Sequence, residues 1–189
     1  MISSKEKGKD GVYYLMRDII SCFPYKDGNF LGAMNHHFIA KNAIRLILLD
    51  EIKKKKPEFR ILAGALTIQN TFLHQLGRVA IYEMNEVIPA LKFCLTYKKS
   101  KIVKRLSAEV VLRLFTVLYF EYIIMHGRRE EGKEFIEKFK KCINRDDVID
   151  AMNTNRVYPR FIFESNGIEL GFGKEGKKRF HEILNKFYK

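Results

Sequence analysis

The chain is predicted to be all-α, and three observations carry that prediction. Apolar residues recur at helical spacing along most of its 189 residues. Helix-breaking residues are sparse, with four Pro and twelve Gly. One segment, Val157–Phe163, has the β-branched and aromatic content of a strand, and it reads equally as a helix begun after Pro159. The length suits one domain or two small lobes sharing a core. With 47% hydrophobic and 30% charged residues, the chain is not a disordered one.

Taken in order, Val12, Leu15, Met16, Ile19 and Ile20 mark a first amphipathic helix, ended by Pro24 and the Lys26–Asn29 turn. A second runs from Asn35 to about Lys55, with Phe38, Ile39, Ile44, Ile47, Leu48 and Ile52 inward and Pro57 as its stop. Ile61–Ile88 reads as one or two helices, with Gly64 and Gly77 as breaks and Pro89 near the end. A short helix over Lys92–Tyr97 leads to a basic connector, Lys98–Arg105. Ser107 then reads as the N-cap of a long helix, Ala108–His126, with Glu109 and Arg113 at i,i+4 spacing and Gly127 as its stop. The apolar run Val110–Met125 inside it is interrupted by Arg113 and Glu121. It is shorter than the roughly 20 residues of a membrane span, so a buried core helix is expected. Lys133–Ile143 turns Phe135, Ile136, Phe139, Cys142 and Ile143 inward, and Asn144 with Asp146 and Asp147 starts the next helix. Ser165–Gly176 holds four glycines and reads as a flexible joint. The terminal helix carries Phe180, Ile183, Leu184, Phe187 and Tyr188 on one stripe. That stripe suits packing in cis, with exchange onto a neighbouring copy as the alternative. The expected domain plan is an N-terminal arm (1–10), an N-terminal helical lobe (11–106), a C-terminal lobe (107–172) and a C-terminal arm helix (173–189).

Catalytic patterns are missing from this sequence. His36, His37, His74, His126 and His181 have no HExxH, Cys–His or closely paired carboxylate partner, so no metal site is expected. There is no P-loop, GxGxxG or GxSxG, and Gly167–Gly173 lacks a βαβ context. Asp146, Asp147 and Asp150 could be a nuclease cation site, but their place at a helix start favours capping. Cys22, Cys94 and Cys142 are odd in number and widely spaced, which points to a reducing compartment. The opening MISSKEKGKDGVYYLMRDII has no apolar signal core. The expectation is a non-enzymatic protein without cofactor or membrane partner.

The charge is more informative. The formal net charge is +13, and a polyanionic partner is the first expectation from it. From Phe59 to Ala108 the only acids are Glu83 and Glu86, against Arg60, Arg78, Lys92, Lys98, Lys99, Lys101, Lys104 and Arg105. Lys53, Lys54, Lys55 and Lys56 come immediately before. Phe72, Tyr82, Phe93 and Tyr97 are interleaved. Cations that neutralise phosphates, with rings that accept unstacked bases, are what single-stranded nucleic acid requires.

Three segments also carry a family likeness. Leu66–Tyr82, with its Leu66-Thr67-Ile68 start leading to Arg78 among apolar residues, resembles a segment of bunyavirus nucleoproteins of the orthobunyavirus type. Asn42–Leu49, with Arg45 and a Lys-rich stretch after it, resembles that family's Arg-bearing apolar helix, and Gly171–Lys189 its glycine joint and C-terminal arm. Gln69-Asn70 stand where the family carries a more basic pair. The resemblance implies a two-lobed helical protein that encapsidates single-stranded viral RNA in a basic interlobe groove, located in virion and host cytoplasm. It implies homo-oligomers linked by terminal arms, and a viral polymerase stands as a further partner. Arg45, Thr67 and Arg78 match the family's motif positions, and Phe180, Ile183, Leu184 and Phe187 its oligomerising arm. Lys53, Lys54, Arg60, Lys92 and the Lys98–Arg105 cluster are added from charge alone. The alternative expectation is a viral helical-bundle protein that binds host partner helices, since Leu76-Gly77-Arg78-Val79-Ala80 resembles a helix start of such bundles.

Overall fold

A computed structural model describes residues 44–76, 84–124, 130–154, 163–164, 169–171 and 173–189. Every regular element among the described residues is helical, so the all-α class is observed. The first ten residues, the predicted first helix, Phe38, Ile39, Gly77, Arg78, Tyr82, His126, Gly127 and residues 157–162 lie outside the described part.

Residues 44–53 are helical, with Ile44 and Leu48 buried. The helix ends four residues before Pro57, where the proline ring would meet the carbonyl four positions back. Helix α1, Phe59–Leu76, starts slightly ahead of the expected Ile61 and buries Leu62, Leu66, Ile68 and Leu73. Gly64 sits buried within it and does not break it.

Helix α2, Ile88–Leu95, corrects the role of Pro89, which lies in the first turn rather than near an end. A proline there loses nothing, because first-turn N–H groups have no intrahelical acceptor. Helix α3, Lys101–Leu118, runs on as a π-helical stretch, Tyr119–Ile124. Its start corrects the expected cap. Ser100, with extended backbone (φ −149°, ψ 116°), accepts a hydrogen bond from the Val103 amide at 3.3 Å. Ser107 is buried inside the helix and donates its hydroxyl to the Lys104 carbonyl at 2.9 Å. The supposed connector is therefore largely helix, and the expected lobe boundary at 106/107 falls in its interior.

Helices α4 (Glu130–Cys142) and α5 (Arg145–Thr154) fall close to where the sequence places them. Asn144 and Asp147 form a reciprocal cap, the Asn144 Oδ1 accepting from the Asp147 amide at 2.9 Å and the Asp147 carboxylate from the Asn144 amide at 2.8 Å. Helix α6, Gly173–Phe187, completes the described elements. Gly171 and Gly173 hold positive φ (79° and 53°), a conformation that glycine adopts without a Cβ clash. Gly176 is instead part of α6, where a Cβ would stand 2.7 Å from the Gly171 carbonyl oxygen.

One connected core joins residues from Ile44 to Phe187. Helix α3 is its axis and packs on α1, α2 and α5. It is apolar almost all round, with Val110, Val111, Leu112, Leu114, Phe115 and Leu118 fully buried. Phe187 docks against Phe115 (ring centroids 4.8 Å apart, 71° between planes) and Phe139 (5.8 Å, 90°), while Phe180 meets Phe163 at 5.8 Å. These are edge-to-face contacts between large rings, each side chain worth about 1.5–3 kcal/mol by burial alone. The Tyr188 hydroxyl fastens the end of α6 by donating to the Ile143 carbonyl at 2.7 Å.

Candidate nucleic-acid interface

Two hydrogen-bonded contacts set the direction of α1 relative to α3. Just before the helices, the Tyr97 hydroxyl donates to the Pro57 carbonyl at 2.9 Å, a separation of 40 residues. Further along, the Arg113 Nε donates to the Asn70 Oδ1 at 2.7 Å, a separation of 43, and the Asn70 amide donates to Glu109, a separation of 39. A nearly constant offset over three turns means that α1 and α3 run parallel. Their N-termini therefore share one end of the helix pair.

That end collects most of the predicted cations. The 53–56 turn brings Lys53, Lys54, Lys55 and Lys56, all exposed, and the first residues of α1 bring Arg60. The Tyr97–Pro57 bond sets beside them Lys98 and Lys99, and the first turns of α3 add Lys101, Lys104 and Arg105, which share one exposed face by their i, i+3, i+4 spacing. The carboxylates in residues 50–60 and 96–105 are Asp50, Glu51 and Glu58. Glu51 is buried and already committed, accepting from the Glu58 amide at 2.7 Å and from Lys54 at 2.6 Å. That bond pushes the Lys54 ammonium above its ordinary pKa. Asp50 makes only a loose, exposed pair with Lys53 at 3.8 Å. Lys55, Lys56, Lys98, Lys99, Lys101 and Lys104 have no ion-pair partner among the described residues.

Other expected site residues have partners within the chain. Arg45 is paired with Glu86 at 3.2 Å. Lys92 holds both oxygens of Asp147 at 2.5 and 2.6 Å, tying α2 to the start of α5. The Thr67 hydroxyl donates to the Ala63 carbonyl one turn back, at 2.9 Å. Arg78 lies outside the described residues. Phe180, Ile183, Leu184 and Phe187 are buried in their own chain, so the α6 stripe docks in cis.

Two residues of the basic end escape a reading by sequence. Phe59, the first residue of α1, is 43% exposed, with the Arg60 guanidinium 5.8 Å from its ring centroid. Ile102, in the first turn of α3, is 51% exposed. Their signal is positional: Ile102 lies within a run of cations and Phe59 between Glu58 and Arg60, each at a helix start where an inward apolar residue is not required.

Little else among the described residues offers chemistry. No cluster of His, Cys, Asp or Glu among the described residues could hold a metal. No helix there is long and apolar enough to cross a membrane. Cys94 is buried, which pushes its thiol up to about 12 and leaves it unreactive at neutral pH. A cleft of about 620 Å³ beside α6 mixes Glu169, Glu175 and Glu182 with Lys178 and Arg179. No known family model, curated protein or solved structure matches the chain.

Proposed function

We propose that this protein is a non-enzymatic binder of single-stranded RNA that takes the strand at the basic end of the α1–α3 pair, without sequence preference. One observation carries the proposal: two cationic stretches some 40 residues apart are bonded side by side through Tyr97 and Pro57. Among the described residues few acids stand beside them. Unpaired lysines held together repel one another, so a polyanion that displaces their counterions is the partner that gains most. The likeness of Leu66–Tyr82 to bunyavirus nucleoproteins directs that polyanion to RNA and to coating of a viral genome by many copies. Copies would then meet along the strand rather than through α6, whose apolar face is already filled.

The test is the affinity for a labelled oligouridine, measured by anisotropy from low to physiological salt. Affinity should fall steeply. Replacing Lys98, Lys99, Lys101 and Lys104 by Glu should lower the salt slope by about three, since each phosphate neutralised on a single strand contributes roughly 0.7. A salt-independent affinity, or a slope untouched by the four substitutions, would overturn the proposal. Protein purified free of nucleic acid, judged from its ultraviolet absorbance ratio, and binding an amphipathic peptide instead would point to the partner-helix class.

A further inference from the structure

We infer that Phe59 is a base-stacking platform, so that the basic end selects unpaired strands over duplex; the inference rests on the RNA reading above. The ring sits at the first position of α1, two residues from the Pro57 carbonyl at which the two cationic stretches meet. It is nearly half exposed, although the core of this chain has room for Phe115, Phe139, Phe163 and Phe187 to be fully buried. A single exposed ring is unremarkable on an ordinary surface. Here it stands in a field of cations, with the Arg60 guanidinium within cation–π range. That arrangement matches what a nucleotide presents: phosphates for Lys55, Lys56, Lys98 and Lys99, and a flat base for the ring. Duplex RNA offers the same phosphates but keeps its base faces stacked on each other, so the ring gains nothing from it. Stacking on one aromatic side chain is worth roughly fivefold to a hundredfold in single-strand affinity.

The chain contains no Trp, so Phe59→Trp introduces a unique fluorophore at the site. Anisotropy of a labelled strand reports binding, and indole emission reports stacking. Oligouridine and oligoadenosine should bind the variant and quench the indole. Duplex RNA and heparin, which present anions without free base faces, should bind and leave emission unchanged. Phe59→Ala should lose single-strand affinity within the range above while keeping its affinity for duplex and its helicity. If oligonucleotides bind but the indole stays unquenched, or if Phe59→Ala weakens duplex and single strand equally, the platform is refuted while the RNA reading stands. If the unsubstituted chain binds no RNA, both fall. A blue shift on phosphatidylserine vesicles without quenching by RNA would make the ring a lipid anchor and overturn the inference.

Discussion

Arg113 and Lys98 are both cations of the α1–α3 pair, and the fold treats them in opposite ways. Arg113 is 5% exposed and is met by Asn70 on its Nε and by Glu109 at 3.7 Å. Burial draws its pKa down and Glu109 draws it back, and the guanidinium stays charged. Lys98, a few residues before α3, is exposed and has no carboxylate partner among the described residues. Where a cation is structural, this chain brings an acid or an amide to it from another element, as it also does for Arg45 and Lys92. The exposed lysines at the starts of α1 and α3 receive no such partner among the described residues.

The contrast yields a double dissociation. Glu109→Ala strands a buried guanidinium and should cost about 3–5 kcal/mol of stability in urea unfolding, with RNA affinity unchanged in the fraction that folds. Changing Glu109 and Arg113 together, to Leu and Met, should recover most of that loss. At the other end, the fourfold Lys-to-Glu variant should lose on the order of a hundredfold in RNA affinity at low salt, about 3 kcal/mol. Its thermal midpoint should hold or rise, because self-repulsion is relieved. A variant that lost stability instead would show that these lysines have structural partners. Gly176→Ala, which presses a methyl into the Gly171 carbonyl, should cost about 1–3 kcal/mol by urea midpoint and leave RNA binding intact.

The smallest effect is set by pH. Cys94 has a folded pKa raised by burial to about 12 from an ordinary 9.0. The stability linked to it is fully present below pH 9 and is lost as the pH rises from there toward 12. At pH 10 the loss should be about 1.4 kcal/mol, and Cys94→Ala should flatten that dependence. An unchanged slope between pH 8 and 10 would assign the alkaline loss to other groups.

Local signals in this sequence are dependable where both partners lie within one turn. Asn144 and Asp147 cap each other as their spacing implies, and Phe135, Ile136, Phe139 and Ile143 face the core. The start of α3 misleads for a local reason too. Lys and Arg are good helix formers, yet a run of them between two apolar segments looks like a linker. Only the burial of Val103 and the extended backbone of Ser100 separate the two possibilities. The candidate site is less legible because its decisive bonds join residues distant in the chain. Nothing in the neighbourhood of Lys92 announces Asp147, 55 residues away, the carboxylate that ties this predicted site residue to α5. Likewise the positions of Lys53–Lys56 and Lys98–Lys99 do not reveal that Tyr97 and Pro57 join them.

The parallel course of α1 and α3 also orders the events of folding. Neighbouring helices joined by a short turn, such as α2 and α3, can pair as a hairpin from a small loop. Parallel partners offset by about 40 residues can pair only after the chain between them has been traversed and closed, at an entropic cost of roughly 3 kcal/mol. Until that closure the cations exist as two separate tracts on a floppy chain. Competence to retain RNA should therefore lag behind the recovery of helical circular dichroism when the denatured protein is diluted into buffer. Simultaneous recovery would show that one tract alone suffices. The paired surface is thus complete only once this loop has closed, so a ligand that needs both tracts at once has no full site on a chain that is still folding.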